Sequence, residues 1–337
     1  MTDGRVRAHA PGRVNLIGEH TDYTGGMALP MAIDLGTTVV GERTGERVVL
    51  RSDAADDPAI VDLADGEGRP GDESGWARYV AAVVEEVRPS TGLVGHVRTT
   101  LPVGGGLGSS AALEVAIALA LGFGGDRRSL ARRCQAAEHR AVGVPCGVMD
   151  QLASAAGVDG HALLVNCSSL AVTPVPLPDG VEVVVVDSGE PRALAESGYA
   201  ERRAQVEAVE GQIGPLRQAT LDDVEAVRDP LLRRRARHVV TENQRVRDVV
   251  DALRADDLAA AGRLLDQSHA SLRDDYEVST PTLDGLCRRL RATEGVLGAR
   301  LVGAGFGGSV VALAEPGSPV EGRRVRASTG ATVEPLS

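Results

Sequence analysis

The sequence predicts a soluble α+β protein with two lobes. A chain of 337 residues is longer than one hydrophobic core usually serves. Short apolar segments between glycine turns fill its first fifty residues, and amphipathic helical patterns dominate its second half. We place the boundary between an N-terminal lobe, residues 1–178, and a C-terminal lobe, residues 179–337, just before an apolar run that predicts a buried strand, Val181–Val186.

The other elements follow from hydrophobic periodicity. Alternation over Val6–Leu50 and Val94–Thr100 predicts strands, whereas the alanine- and leucine-rich run Ser110–Leu121 predicts a helix. Glycine and acidic residues make Ala54–Ser74 an expected surface loop or β-excursion. Further helices are predicted over Ser129–Val142, Tyr199–Val209, Pro230–Val250, Asp257–Leu272 and Thr282–Thr293, and strands over Ala299–Val302 and Ser309–Ala314.

Charge and composition favour a small-molecule partner. A net charge of −11 opposes binding to nucleic acid or to anionic membranes, since both require cations against phosphates. No lysine occurs, which excludes the P-loop and the protein-kinase scheme because each needs one. The dense basic run over 233–238 lies in a predicted helix, and we interpret it as a solvated helix face.

The cysteine pattern and the absence of a long apolar run suggest a compartment. The four cysteines are widely spaced with no Cys-x-x-Cys pair, so neither a disulfide framework nor a zinc site is indicated. No secretory leader and no membrane span is recognisable. We expect a cytoplasmic protein that is a monomer or a weak homo-oligomer.

The densest polar chemistry lies in Gly12–Tyr23, near the start of the chain. Glycines at both ends allow positive φ and close approach of the backbone to a small ligand. Glu19, His20 and Asp22 offer donors and acceptors to a polyhydroxylated molecule. This segment therefore predicts a sugar-binding pocket.

A glycine-rich loop between a strand and a helix, Leu101–Ala112, predicts a phosphate cradle. Its glycines leave backbone N–H groups accessible, and the helix dipole adds partial positive charge. A flexible β–α connection is the simpler alternative, but two serines at the helix start offer an N-cap and a hydroxyl for a metal. The predicted nucleotide-binding residues are Gly104, Gly105, Gly106, Leu107, Gly108, Ser109, Ser110 and Ala111.

Two acidic residues farther along have different predicted tasks. Glu138, on a helix opposite the phosphate loop, is expected to bind Mg²⁺ together with Ser110, because magnesium takes one or two protein oxygens beside phosphate and water. Asp150 follows a Pro–Cys–Gly turn that would present it to the cleft. Taken singly, Asp150 and Arg13 are better explained as a structural ion pair between segments.

Three of these segments resemble a known family. Gly12–Tyr23, continued through Gly25–Pro30, is similar to the signature of the galactokinase family, and Leu101–Ala112 resembles the second motif of the GHMP small-molecule kinases. Gly303–Ser309 resembles their third motif, which closes against the phosphate loop. The resemblance implies a GHMP fold, with a mixed-sheet N-terminal lobe, a ferredoxin-like C-terminal lobe and the active site between them.

The resemblance also implies residue roles and a reaction. ATP would phosphorylate D-galactose at its anomeric hydroxyl, with Asp150 beside that hydroxyl, Arg13 as its partner, and Gly147 and Tyr199 among the sugar-binding residues. Gly108 stands where serine is common in galactokinases, so the second motif fixes the superfamily but not the substrate. Another sugar 1-kinase, or a sensor that binds sugar and ATP without catalysis, remains an alternative.

Overall fold

The strands form three sheets in the computed structural model, which describes residues 4–64, 75–102, 104–143, 146–191 and 195–337. Val103, Val144 and Pro145 of the predicted loop and turn lie outside these ranges, as do residues 65–74 of the predicted surface loop. The strands are β1 (Arg5–Asn15), β2 (Met27–Ala28), β3 (Pro30–Arg43), β4 (Arg47–Ser52), β5 (Ala55–Asp62), β6 (Leu93–Thr99), β7 (His161–Asn166), β8 (Ala171–Pro176), β9 (Glu182–Asp187), β10 (Val296–Val302), β11 (Ser309–Ala314), β12 (Arg323–Val325) and β13 (Thr332–Pro335).

The helices overlap every range that the sequence predicted as helical. Periodicity did not single out α1 and α4, nor strands β7 and β8. None of the helices within the described residues is long and apolar enough to cross a membrane. The helices are α1 (Ala77–Val87), α2 (Ser109–Ala120), α3 (Arg127–Val142), α4 (Met149–Ala156), α5 (Ala195–Ile213), α6 (Leu221–Glu225), α7 (Pro230–Arg254), α8 (Leu258–Asp274) and α9 (Pro281–Arg291).

The first lobe is built on a six-stranded mixed sheet in the order β13-β1-β3-β6-β4-β5. All its neighbours pair antiparallel except β4 and β6, which are parallel. Helices α1, α2 and α4 pack on this sheet and α3 packs against those three helices, and valine, alanine and leucine side chains of the sheet and helices form the core. A small antiparallel sheet, β2-β7-β8, completes the lobe.

The second lobe contains an antiparallel sheet in the order β10-β11-β9-β12, with α8 and α9 packed on it. The proposed boundary near residue 178 falls between β8 and β9. The chain then crosses back, because β13 pairs with β1 and Ala327 forms a bridge with Ile33. We therefore propose that the last residues of the chain belong structurally to the first lobe.

The interpretation of the basic run over 233–238 as a solvated face is wrong for two of its members. Arg235 and His238 are buried at 1% and 0% exposure. Arg235 donates to Gln205, Glu277 and the Asp275 carbonyl. Helix α7 is covered on more than one side, so charged side chains at inward positions are paired rather than hydrated.

Candidate active site

Arg13 and Asp150 form a two-bond ion pair, although 137 residues separate them in the chain. Arg13 lies in β1 where its register with β3 shifts, and Asp150 lies in the first turn of α4. Arg13 Nε donates to Asp150 Oδ1 at 2.6 Å, and Nη2 donates to Oδ2. Burial alone would lower the pKa of Arg13, but Asp150 raises it above its usual value. The guanidinium therefore stays charged.

Arg13 also joins this pair to the glycine loop, residues 104–108 between β6 and α2. Its Nη1 donates to the Gly106 carbonyl at 2.5 Å, and its backbone N–H donates to the Leu107 carbonyl at 2.9 Å. The neighbouring Gly12 has no room for a side chain, because a Cβ there would lie 2.5 Å from the Leu107 oxygen. Strand β1 and the glycine loop therefore sit in direct contact.

The glycine loop turns three times through the left-handed region, at Gly104, Gly106 and Gly108, with φ between 72° and 78°. Gly108 is the N-cap of α2, so the expectation that a serine caps this helix is wrong. The left-handed backbone at Gly108 disfavours serine, and a Cβ there would also lie 3.1 Å from Arg13 Cγ. Ser109, Ser110 and Ala111 form the first turn, where helical N–H groups have no intrahelical acceptor.

A cavity of about 520 Å³ opens beside this loop, with Arg13 and Asp150 in its lining. Its lining includes loop glycines with Ser109 and Ser110, and also the aromatic residues Trp76 and Tyr79. Sequence reasoning missed both aromatic residues. The available signal was the single tryptophan of the chain, placed just before an apolar i, i+3, i+4 pattern that becomes α1.

Ser110 and Glu138 are in contact, as the magnesium prediction requires. Ser110 Oγ donates to Glu138 Oε1 at 2.7 Å. The other Glu138 oxygen accepts from Gln151 Nε2 at 2.5 Å and from the Cys146 thiol at 3.3 Å. Both prospective ligands carry oxygen, the donor that Mg²⁺ prefers. In the described part of the chain no three His, Cys, Asp or Glu side chains converge on a metal position.

A second cavity, of about 250 Å³, lies on the other side of Asp150. The predicted sugar-binding residues Glu19, His20, Asp22, Gly147 and Tyr199 all line it, together with Arg13 and Asp150. The structure thus brings residues that lie far apart in the chain into one pocket. Three of these residues, Glu19, His20 and Asp22, belong to the segment 16–27, which we call the sugar loop.

Asp22 and Gly147 are matched to each other. A Cβ on Gly147 would lie 1.5 Å from Asp22 Oδ2, so only glycine allows that carboxylate its position. Burial, followed by the negative charges of Asp150 and Glu19, raises the pKa of Asp22 to about 7. Asp22 therefore changes its charge close to neutral pH.

Glu19 faces the second lobe. Its Oε1 lies 2.8 Å from Arg300 Nη2 and accepts from the Gly303 N–H at 2.8 Å. Burial raises the pKa of Glu19, while Arg300 and the Gly303 amide oppose that rise. Arg300 is fully buried and was not anticipated, because its partner lies in the other lobe.

His20 adopts a left-handed backbone, with φ of 62°, and lies among aromatic rings. Its Nε2 donates to the Ala304 carbonyl at 3.2 Å, and its Nδ1 lies 3.1 Å from the Tyr23 hydroxyl. Burial, followed by the charge on His238, lowers the pKa of His20 to about 3. The imidazole is therefore neutral at physiological pH.

Tyr199 and Tyr276 complete this aromatic cluster. The ring centroids of Tyr199 and His20 are 5.8 Å apart, and Tyr199 borders the sugar cavity. Tyr276 lies behind His20 and shares a 2.5 Å hydrogen bond with the Tyr23 hydroxyl.

The third glycine motif also reaches the first lobe, since Ser309 Oγ donates to the Gly105 carbonyl at 3.1 Å.

Comparison with family models identifies three matching segments. Residues 2–43 match the galactokinase galactose-binding signature, residues 78–158 match the GHMP kinase N-terminal domain, and residues 249–328 match the GHMP kinase C-terminal domain. These segments contain the sugar loop, the glycine loop with Glu138 and Asp150, and the third glycine motif.

Similar proteins point to the same family. The galactokinase of Homo sapiens is 44% identical over 91% of this chain and 83% of that protein, and the galactokinase of Roseiflexus sp. (strain RS-1) is 42% identical over 93% and 84%. The crystal structure of Lactococcus lactis galactokinase complexed with galactose superposes with a TM-score of 0.90, at 32% identity, over 97% of this chain and 95% of that one. Methanococcus jannaschii mevalonate kinase, at 18% identity and a TM-score of 0.68 over 96% and 98%, shares the fold.

Proposed function

Because the chain belongs to the galactokinase family and phosphorylates galactose with ATP, we propose that Arg13 and Asp150 carry the reaction. One observation supports this above all: both residues line the 250 Å³ cavity and the 520 Å³ cavity, and so stand where the two meet. A sugar hydroxyl in the first cavity and a terminal phosphoryl group in the second would face each other there.

In this mechanism Asp150 orients the anomeric hydroxyl and accepts its proton late. Phosphoryl transfer usually passes through a loose transition state, so the hydroxyl need not lose its proton early. A carboxylate held by two hydrogen bonds from Arg13 has the fixed orientation that this task needs. The charged guanidinium offsets negative charge on the transferred phosphoryl oxygens.

We propose that Asp22, His20 and Tyr199 contact galactose, with Glu19 and Gly147 shaping the pocket beside them. A carboxylate accepts hydrogen bonds from two adjacent hydroxyls, so Asp22 is suited to recognise their relative orientation. Glu19 also lines the cavity, but its Oε1 is already engaged by Arg300 and Gly303. The aromatic faces of His20 and Tyr199 offer apolar surface to the sugar ring.

For ATP, the glycine loop and the first turn of α2 are proposed to hold the phosphates. Trp76 and Tyr79, which line the same cavity, provide flat apolar surfaces suited to the adenine base. Ser110 and Glu138 would hold Mg²⁺, which when bound neutralises phosphate charge. Their contact and their oxygen chemistry fit that ion.

The substitution Asp150→Asn tests the proposed mechanism. The amide retains a similar shape but cannot accept the proton, so kcat should fall by about 10²–10⁴, the usual contribution of a general base. Dissociation constants for galactose and ATP, measured by calorimetry, should change little. If the Asp150→Asn variant keeps the kcat of the wild type, the proposed role of Asp150 is refuted. If the unmodified protein binds both ligands but shows no turnover, it is a sensor and not a kinase.

A further inference from the structure

Helix α7 of the second lobe presents three buried polar side chains to main-chain atoms of the sugar loop. The Gly18 N–H donates to Glu242 Oε1 at 3.1 Å, and the Met27 N–H donates to Asn243 Oδ1 at 2.7 Å. His238 Nε2 donates to the Glu19 carbonyl at 3.1 Å. Positions 238 and 242 lie one turn apart on the helix and 243 directly follows 242, and none of these side chains lines the sugar cavity.

The sugar loop has room for these α7 side chains because glycines stand at the points of contact. A Cβ on Gly26 would lie 2.4 Å from Asn243 Oδ1, and a Cβ on Gly18 would lie 3.0 Å from Val246 Cγ2. Buried main-chain groups need partners, and here a helix side chain supplies each one. Loop and helix therefore fit each other in both space and hydrogen bonding.

Glu242 is itself held firmly. Ser268 Oγ donates to its Oε1 at 2.7 Å, and Arg245 Nε donates to its Oε2 at 2.7 Å. Burial alone would raise the pKa of Glu242, but the charges of Arg245, His238 and Arg300 lower it to about 2. The Gly18 N–H thus has a charged acceptor, which makes a stronger hydrogen bond than a neutral one.

Among the residues that the structure describes, those lining the nucleotide cavity make no comparable contact with α7. The lining of this cavity comes from β1, β3 to β6, α1, the glycine loop, α2 and α4, all in the first lobe. From this difference we propose that α7 positions the sugar loop, and that His238, Glu242 and Asn243 set the affinity for galactose without touching it. The inference rests on the galactokinase activity described above.

Two matched pairs of substitutions test the proposal. Asn243→Leu removes the acceptor for the Met27 N–H at similar volume, whereas Asn243→Asp retains an acceptor oxygen. His238→Leu removes the donor to the Glu19 carbonyl, whereas His238→Gln retains one. Calorimetry should show a galactose Kd raised about tenfold to a hundredfold in the leucine variants, the effect of leaving a buried group unpaired. The conservative variants should recover most of this loss, and the Kd for ATP should stay at the wild-type value throughout.

Val250→Ala is the control for general loss of stability, because Val250 is a buried apolar residue of α7 that contributes no hydrogen bond to the loop. Val250→Ala should lower the melting temperature without raising the galactose Kd relative to the ATP Kd. If the leucine variants do not fold, Ser268→Ala provides a milder change, since it deletes only the hydroxyl that supports Glu242. That variant should raise the galactose Kd and leave the ATP Kd unchanged.

The outcomes separate this proposal from the activity on which it rests. Equal weakening of both ligands, or unchanged galactose affinity in the folded variants, would overturn the role of α7. The same separation of affinities in Val250→Ala would also overturn it. Wild-type protein that fails to bind galactose would instead refute the activity.

Discussion

At the residue scale, burial and neighbouring charges give the carboxyl groups in and around the sugar loop different states. Glu242, surrounded by cations, has its pKa lowered to about 2, whereas burial and two nearby carboxylates raise the pKa of Asp22 to about 7. The same chemical group is therefore a fixed charge in one place and a titrating one in the other. Of these two carboxyl groups, Asp22 lines the sugar cavity and Glu242 does not.

Galactose affinity should depend on pH through Asp22. Ionised Asp22 accepts hydrogen bonds from two hydroxyls and the protonated form offers fewer acceptor sites, so binding should favour the carboxylate. The galactose Kd should rise as pH falls below 7, approaching about tenfold per unit. Calorimetry from pH 5.5 to 8.5 measures this, and a flat profile in the wild type would contradict it. Asp22→Asn should bind weakly and without this pH dependence.

Stability gives an independent readout of the same group. Because the folded protein holds the Asp22 proton more tightly than the unfolded chain does, this group's stabilising contribution is present below about pH 4 and is lost as pH rises through 7. Asp22→Asn should therefore raise the melting temperature at pH 8 relative to the wild type, and by less at pH 5. An equal shift at both pH values would argue against the raised pKa.

Magnesium use should depend on Glu138. Glu138→Gln removes one anionic oxygen from the proposed coordination shell while keeping an acceptor for Ser110. The magnesium concentration for half-maximal rate should rise, and so should the magnesium needed for tight ATP binding in calorimetry. Glu85→Gln, on the surface of the neighbouring helix α1, is the control. Identical magnesium titrations for both variants would remove Glu138 from the metal site.

At the element scale, the site depends on how closely neighbouring segments approach. The start of α4 lies against the short 3₁₀ turn over Asp22–Thr24, and β1 lies against the glycine loop. In each case a glycine stands at the contact: Gly147 beside Asp22, and Gly12 beside the Leu107 carbonyl. The glycines near these contacts are therefore steric requirements of the pocket as well as turn formers.

Gly147→Ala should damage sugar binding selectively. The new methyl group would overlap the Asp22 carboxylate and displace it from the pocket. We expect a galactose Kd raised at least about tenfold, the usual cost of misplacing one buried polar contact, with a smaller effect on ATP. Gly124→Ala is the control, since a Cβ there meets nothing within 4 Å. Retained galactose affinity in Gly147→Ala would show that Asp22 does not need its present position.

At the scale of the whole molecule, the two lobes share an apolar cluster and a buried ion pair. Leu16 and Ile17 of the first lobe pack with Val246 and Val249 of the second. Beside them, Arg300 donates to the Asn15 and Leu16 carbonyls and pairs with Glu19. The sugar pocket is thus formed at the interface and depends on both lobes.

Breaking this pair should destabilise the protein. Arg300→Met removes the cation that faces buried Glu19, and leaving one member of a buried pair alone typically costs about 3–5 kcal/mol. Denaturant unfolding should show that loss, together with a raised KM for galactose. Replacing an exposed pair member, Arg7→Met, should change stability by less than about 1 kcal/mol. Similar losses for both variants would contradict the interfacial role of Arg300.

The sequence by itself determined most helices, the strands of the first fifty residues together with β6, β9, β10 and β11, the glycine loop and the residues of the sugar loop. These features are local: periodicity, glycine spacing and polar residues within a dozen positions encode them. It could not indicate α4, whose eight residues are too short for a clear period. It also wrongly predicted a serine as the N-cap of α2, where Gly108 stands. The boundary between lobes was also only partly readable, because strand β13 finds its place by pairing with β1.

Only the tertiary structure decided which distant side chains complete the site. No local signature marks these side chains, which include Arg300, Tyr276, Trp76 and the buried polar residues of α7. An arginine or asparagine inside a helix or strand usually faces solvent. Their burial follows from packing between elements far apart in the chain, where each buried polar group needs a partner. Short sequence motifs therefore predicted the chemical groups of this protein, whereas the positions of those groups depended on contacts between the lobes.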